Sequence, residues 1–403
     1  MNRRFIKKKI LIIVNKFGQG GTFNSALNFY LGYNKLGYKV QIIFLKKSKN
    51  KIDLIQFVKI SRIKLYNFKE LKKINYPDYI HIIGHGITSD YIYKIKDLFP
   101  NSNFFESNIF GKPSSYEHLL SASWQLNQWS NLNYILNGGQ KNYGILPLPV
   151  NFDQLFKFKN KFKLKNIKTF NKTILRVAQN YPGKWSLELI SLFEKIYYLD
   201  QNVKLILVTP PKKIINKINE LPFNIKKNIR VISKINSNEE IFELYYKCNL
   251  FLHASNQGET FGYVFFESYV FNCPVFSMET PWADNSQVDI VRELFSKKNL
   301  FNSFNRLEYK ILNKLKYKSR IILKQKILKK YSPIVVCKNS IKLMESRFDK
   351  KVKFDKNFLL DQLDNADNFI VPKIKKYFLK LCVIVFSSYS LFLFKKLRRI
   401  KMI

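Results

Sequence analysis

The sequence predicts an α/β protein made of two doubly wound parallel-sheet domains, followed by a hydrophobic, basic C-terminal helix. Three observations lead there. Short apolar runs alternate with helical patterns through the first 145 residues, and the alternation restarts at Thr173. A proline-rich extended stretch, Leu146-Pro147-Leu148-Pro149-Val150-Asn151, separates the two series and suits a linker. The chain has 403 residues, enough for two substantial cores.

The first nine residues, rich in Lys and Arg, imitate the start of a signal peptide. The apolar run behind them, Ile10 to Val14, has only five residues and reads better as a first buried strand. The loop Asn15-Lys16-Phe17-Gly18-Gln19-Gly20-Gly21 follows, then a helix over 24–36 stopped by Gly37, then a strand over 40–45. This βαβ opening is Rossmann-like, although the G-x-G-x-x-G spacing is absent. Gly20 and Gly21 either line a ligand or only make a tight turn. Further strands read at 79–83, with the exit loop Gly84-His85-Gly86, and at 103–106. The second series has strands at 173–178, 204–208, 230–233, 250–253 and 274–277, with helices at 186–198 and 239–248. Residues 305–345 are basic and helical in pattern.

Charge is lopsided: 70 Lys and Arg against 28 Asp and Glu give +42. Such a balance suits nucleic acid or an anionic membrane surface. However, Lys, Asn, Ile, Phe and Tyr are abundant together, as AT-rich coding produces, and no nucleic-acid motif is visible. The four cysteines, Cys248, Cys273, Cys337 and Cys382, form no C-x-x-C pair and support neither a disulfide framework nor zinc. Four scattered histidines argue the same way, so the chemistry expected is metal-independent and needs no cofactor.

The most informative stretch is Gly258-Glu259-Thr260-Phe261-Gly262-Tyr263-Val264-Phe265-Phe266-Glu267. An apolar strand precedes it and a helical stretch follows. In a parallel sheet, ligands bind at such strand-to-helix turns. A helix starting there offers free N–H groups to phosphate, and Gly262 allows close approach. With Glu259 just ahead of the helix and Glu267 two turns in, the glutamates would stand roughly 12 Å apart along the axis at 1.5 Å per residue. A glycoside-hydrolase pair works at about 5–9.5 Å, so the wider spacing fits a longer ligand such as a nucleotide-diphosphate sugar. The plain alternative is a loop glutamate and a helix glutamate satisfied by lysines.

Glu259-x7-Glu267 followed by Pro274-Val275 resembles the signature of family-4 retaining glycosyltransferases, and the run Thr280-Pro281-Trp282-Ala283-Asp284-Asn285-Ser286-Gln287 resembles one bacterial-type branch. The likeness covers residues 8–345 and is strongest over 245–290. It implies a GT-B fold: two Rossmann-like domains facing a cleft. Residues 1–150 would form the acceptor domain, 165–330 the donor domain and 331–349 a closing helix returning to the first domain. It implies that Glu259 contacts the donor sugar and Glu267 its ribose, with Thr260, Phe261 and Gly262 alongside. Lys184, in Pro182-Gly183-Lys184-Trp185-Ser186, matches the family's diphosphate-binding lysine. Its usual arginine is replaced by Gln179, which cannot supply the charge. Arg176 is close in sequence, but its three-residue offset is expected to turn it to the other sheet face. Lys234 would lie near the base, and Gly20 and Gly21 near donor phosphate and acceptor. The family often has a histidine meeting the sugar after the strand at 103–106. Here Asn108 or Glu106 stands in that neighbourhood, leaving His85 and His118 as candidate substitutes. His253 is either a core or a cleft histidine, and Asp284 and Asn285 suit a helix cap.

Residues 373–403 carry nine Lys and Arg and no acid around an uncharged apolar run. That run, Leu381 to Phe394, together with Tyr377–Lys380 ahead of it, gives 18 residues or roughly 27 Å of helix, marginal for a ~30 Å hydrocarbon core. A helix lying on an anionic membrane surface, at its cytoplasmic face, is the expectation, with residues 350–372 as linker. A re-entrant helix, a full span as a short anchor, and a buried helix packed on the body of the protein are the alternatives. The functional expectation is a glycosyltransferase using a nucleotide sugar and a glycan or lipid-linked acceptor. Its rivals are a degenerate relative that binds glycans or partners without catalysis, a basic nucleic-acid-binding protein, and a sugar-nucleotide epimerase.

Overall fold

In this computed structural model the described residues are 8–17, 20–46, 65–84, 86–279, 286–316, 321–346 and 357. His85, the run from Thr280 to Asn285, the end of the expected closing helix at 347–349, most of the linker and the whole of 373–403 lie outside them. Among the described residues no helix is long and apolar enough to cross a membrane. The chain divides into two compact units, one of residues up to Val150 with the chain from Lys329, the other Asn151–Leu328.

The first unit holds a seven-stranded, all-parallel sheet: β1 (Lys9–Lys16), β2 (Lys39–Lys46), β3 (Leu65–Asn67), β4 (Tyr79–Ile83), β5 (Asn103–Asn108), β6 (Ala122–Gln125) and β7 (Asn142–Ile145). The order is β3-β2-β1-β4-β5-β6-β7, so its direction of growth reverses between β1 and β4. Residues Ile10 to Val14 are all buried, as expected of a strand covered by helices on both faces. Helix α1 (Gly21–Lys35) begins three residues before the expected start, and the chain leaves it through Gly37 at φ 86°. Helices α2 (Ser89–Leu98) and α3 (Gln128–Leu136) are the further regular helices of this series among the described residues.

A helix from Pro333 to Glu345 returns to this unit and packs on α1. Ser332 caps it by accepting from the Val335 N–H, and Pro333 supplies the preset first turn. The crossing is close because residue 32 is glycine: a Cβ there would overlap Cys337 Sγ and the Pro333 carbonyl. A buried polar chain ties the helix to the sheet. Tyr33 Oη lies 2.6 Å from Ser340 Oγ and 3.0 Å from His81 Nδ1, and His81 Nε2 lies 2.8 Å from Ser107 Oγ.

The second unit holds a six-stranded parallel sheet: β8 (Thr173–Val177), β9 (Lys204–Val208), β10 (Ile229–Ile232), β11 (Leu250–His253), β12 (Val275–Met278) and β13 (Leu300–Phe301). Its order is β10-β9-β8-β11-β12-β13. The reversal therefore falls between β8 and β11. The unit opens with α4 (Phe152–Leu164), a helix in a stretch for which the sequence reading named no element. Phe158 and Phe162 of α4 pack on Phe242 and Phe271. The remaining helices are α5 (Glu188–Leu199), α6 (Lys212–Asn219), α7 (Phe223–Lys226), α8 (Asn238–Lys247), α9 (Tyr263–Val270), α10 (Ser286–Leu294), α11 (Leu307–Lys316) and the short turn Gln325–Lys330. Leu189, Phe193 and Ile196 of α5 form the core of one face with Leu205, Leu207 and Leu252 of the sheet.

Candidate active site

The carboxyl ends of β8 and β11 are neighbours across the point where strand order reverses, the place where an open parallel sheet leaves a crevice for ligands. The loop after β8 carries Lys184 and the loop after β11 carries Glu259. Backbone hydrogen bonds hold the two loops together. The Gly183 carbonyl accepts from Gln257 N–H at 2.8 Å, and the Lys184 ammonium donates to the Gly258 carbonyl at 2.8 Å. The same ammonium stands 3.0 Å from Glu259 Oε2. Both side chains are about a fifth exposed, at 21% and 20%, so the pair can be reached by a ligand.

His253, the last residue of β11, is fully buried beneath the pair. Its Nε2 lies 3.3 Å from Glu259 Oε1 and its Nδ1 lies 3.1 Å from Ser277 Oγ. Burial pushes the imidazole down to about 4, only partly opposed by Glu259. The neutral ring thus donates from Nε2 and accepts the Ser277 hydroxyl at Nδ1. For Glu259, burial favours the neutral acid. The His253 hydrogen bond and the Lys184 charge outweigh that and hold the carboxyl down to about 2. The Glu259 backbone is fixed as well: its N–H donates to Gln287 Oε1 at 2.9 Å, and its carbonyl accepts from Ser286 N–H at 3.2 Å.

The helix after Glu259 begins at Tyr263, so Glu259 stands ahead of it as the spacing argument took it, while Glu267 lies only about one turn in rather than two. Gly262, at φ 76°, makes the turn into α9; a Cβ there would meet the Phe265 ring at 2.6 Å. Thr260 is half-buried, while Phe261 is buried and stacks on Phe266 at 5.2 Å, so its ring belongs to the core of the loop. Glu267 is half-buried on α9, facing the Tyr245 hydroxyl, and burial pushes its carboxyl up to about 7.

Gln179 is exposed, and its carbonyl accepts from Trp185 Nε1 at 2.9 Å. Arg176 does not turn away from the site as the offset suggested. It is fully buried, and its guanidinium donates to the carbonyls of Val177 and Lys184. A long side chain at a strand end can hook over the edge, which face alternation alone does not capture. Lys234 is exposed just past β10. A cavity of about 360 Å³ opens beside the Lys184 loop, between Pro182, Trp185, Pro211 and Ile214, with Lys213 and Asn256 among its polar groups.

In the first unit, Gly20 stands ahead of α1 with open space where a Cβ would go, and Gly21 is the exposed first residue of the helix. Asn108 ends β5 rather than lying in a loop. Its amide bonds Glu106 Oε2 at 3.1 Å and the Lys112 carbonyl at 2.7 Å, so it braces the loop that follows. His118 is exposed and pairs with Tyr93 Oη at 3.0 Å. The sequence reading gave no role to Gln287 or Ser277. Both sit where the neighbouring strand and its following helix meet the Glu259 loop, a proximity that only the strand order reveals.

Residues 157–311 match the family model described as glycosyl transferases group 1. Comparison with curated proteins by sequence gives no match. Among solved structures the chain is similar to TarM of S. aureus, at TM-score 0.61 and 13% identity over 85% of this chain and 99% of that one. It is also similar to Anabaena HepE in complex with UDP-glucose, at 0.58 and 13% over 84% of this chain and 100% of that one. A glycosyltransferase from Rickettsia africae gives 0.55 and 14% over 85% of this chain and 100% of that one. The fold is therefore GT-B, the glycosyltransferase architecture of two doubly wound parallel sheets.

Proposed function

We propose that this protein is a family-4 retaining hexosyltransferase, moving one sugar from a nucleotide-diphosphate sugar to a glycan or lipid-linked acceptor without a metal. The observation that carries the reading is the Lys184–Glu259–His253 cluster at the β8/β11 reversal, where a lysine and an ionised glutamate share one accessible spot. In this reading the donor's diphosphate draws Lys184 away from Glu259, and the N–H groups at the start of α9 assist. Glu259, freed from the ammonium, accepts hydrogen bonds from sugar hydroxyls. Glu267 takes the ribose, and the cavity beside Pro182 and Pro211 takes the base. The bond between the anomeric carbon and the diphosphate oxygen breaks as the acceptor oxygen approaches the same face. The acceptor's proton passes to the departing diphosphate. Stabilising that departing charge is the largest contribution asked of the protein.

The family-model match over the second unit supports this, as does the fold shared with HepE, which was solved with UDP-glucose. TarM was solved as a mutant with UDP and alpha-GlcNAc-glycerol, which fits a glycan-type acceptor by analogy. Calorimetric titration with a panel of nucleotide sugars in chelator is the test. Binding followed by turnover to an α-linked product from an α-linked donor supports the reading; no binding by any donor rejects it. Binding without turnover supports the non-catalytic alternative, which the exposed Gln179 favours. The tail at 373–403 is proposed to hold the enzyme on the cytoplasmic face of an anionic membrane. A chain ending at Asp367 should then leave the membrane pellet, and continued pelleting counts against it.

A further inference from the structure

Arg176 is the least expected residue in the second unit. Every residue of β8 is buried, and Arg176 among them is 0% exposed. Burying a charge is costly, and an apolar side chain of similar volume often serves stability better. The charge is nevertheless kept and put to use. One nitrogen donates to the Val177 carbonyl at 3.2 Å and the other to the Lys184 carbonyl, while the Trp185 ring stacks at 5.3 Å from Cζ. Its Nε has no hydrogen-bond partner. The arginine is therefore bound to the backbone of the residue whose ammonium meets Glu259, and its charge is felt by both Glu259 and His253.

The ligand-free cluster holds two cations, Lys184 and Arg176, against one anion, Glu259. If Lys184 swings to a diphosphate, Glu259 loses its nearest counter-charge while still about four-fifths buried. Arg176 cannot follow the ligand, because its guanidinium is clamped by two carbonyls and a tryptophan. It stays behind as the fixed cation.

We propose that Arg176 is a positioning residue for transfer: it anchors the Lys184 backbone so that only the side chain moves, and it keeps Glu259 ionised once Lys184 has turned to the donor. The proposal rests on the nucleotide-sugar reading above. It also accounts for how a chain with Gln179 in the exposed loop position can retain a second positive charge at the site.

The test compares Arg176→Met, which keeps volume and loses charge, with Arg176→Lys, which keeps charge and loses the fork. Arg176→Met should lower kcat on the order of 10²-fold with donor KM changed far less. The acid limb of its pH–rate profile should move to higher pH, because a carboxyl that loses a positive neighbour binds its proton more tightly. Arg176→Lys should recover about tenfold of the loss and restore the acid limb. If Arg176→Met does not fold, Arg176→Lys carries the test alone, with reduced kcat and an unmoved acid limb. Ring NMR of His253 in the ligand-free protein is a readout independent of turnover: its titration should move up in Arg176→Met. Equal loss of melting temperature in both variants, with kcat, acid limb and His253 titration unmoved, would mean a merely structural arginine and overturn the proposal. A wild-type chain that binds no donor brings down the functional reading and this proposal together. An active wild type with unaltered variants brings down this proposal alone.

Discussion

Each unit of this protein buries a glutamate in a polar cluster, and the two clusters treat it in opposite ways. Glu106, in the first unit, is 1% exposed and surrounded by neutral donors: Ser114, Tyr116, Asn108 and Ser123. Burial raises its pKa in spite of those hydrogen bonds. Glu259, in the second unit, has a lysine at 3.0 Å and a neutral histidine below it, and is held down to about 2. Serine and tyrosine hydroxyls can rotate to suit either protonation state, so the Glu106 cluster can satisfy a neutral acid. An ammonium cannot, so the Glu259 cluster keeps its charge. The first arrangement braces a loop. The second leaves an ion pair at the surface that a more strongly charged ligand can separate.

The sharpest way to break this contrast is to remove either half of the ion pair. Lys184→Ala and Glu259→Ala should each lower turnover on the order of 10²–10³-fold, about 3–4 kcal/mol of transition-state stabilisation. Both variants should still fold, with the melting temperature of Glu259→Ala lowered at neutral pH, where the ionised carboxylate stabilises the native state. Steady-state kinetics with a saturating donor, alongside thermal denaturation, decides the matter. Wild-type-like turnover in both variants rejects the site.

That contrast was only partly legible in the sequence. The buried strands could be read because parallel strands covered on both faces appear as continuous apolar runs, as in Ile10 to Val14 and Leu250 to His253. Glu259 and Lys184 could be read because each sits in a distinctive loop beside a strand end. Their 3.0 Å contact could not, since β8 and β11 are neighbours through a crossover of more than seventy residues. Arg176 was misjudged for a related reason: alternation gives the direction of Cβ, not where a long side chain ends. Helix α4 went unread because four of its 13 residues are phenylalanines and four are lysines, a pattern that also suits a basic linker. Asn108 was a candidate sugar contact by its place after the strand read at 103–106. The structure gives its amide to Glu106 and Lys112, partners that chain position alone does not indicate.

The next perturbation in size strikes the first unit from outside its polar cluster. Gly32→Ala would drive a methyl group into the Pro333 carbonyl and Cys337 Sγ at the crossing of α1 and the closing helix. Backbone cannot yield as a side-chain tip can, so the helix must shift. The adjacent Tyr33–Ser340 hydrogen bond, 2.6 Å in the intact protein, should lengthen or break. Expected is a loss of about 1–3 kcal/mol in denaturant unfolding of the first unit. The pH dependence contributed by Glu259 should remain, because that residue belongs to the other unit. An unchanged unfolding midpoint would show that the crossing is looser than its geometry implies.

The smallest effects should separate the two glutamates by sign. Glu106→Gln keeps shape and hydrogen-bonding capacity, so its effect on stability should stay under about 1.5 kcal/mol. The wild-type Glu106 pKa is raised on folding, so the native state binds the proton more tightly than the unfolded chain. Its contribution is full below the ordinary value of 4.5 and declines as pH rises through the folded value. Glu259 runs the other way. Its folded value is about 2, so its contribution is full above 4.5 and is lost as pH falls towards 2. Relative to wild type, Glu106→Gln should therefore fare better as pH rises, and Glu259→Gln better as pH falls. Unfolding curves of both variants taken from pH 3 to pH 8 would show two slopes of opposite sign. Parallel slopes would mean that the two carboxyls are held in the same charge state, and that the second unit's ion pair is no more primed than the first unit's brace.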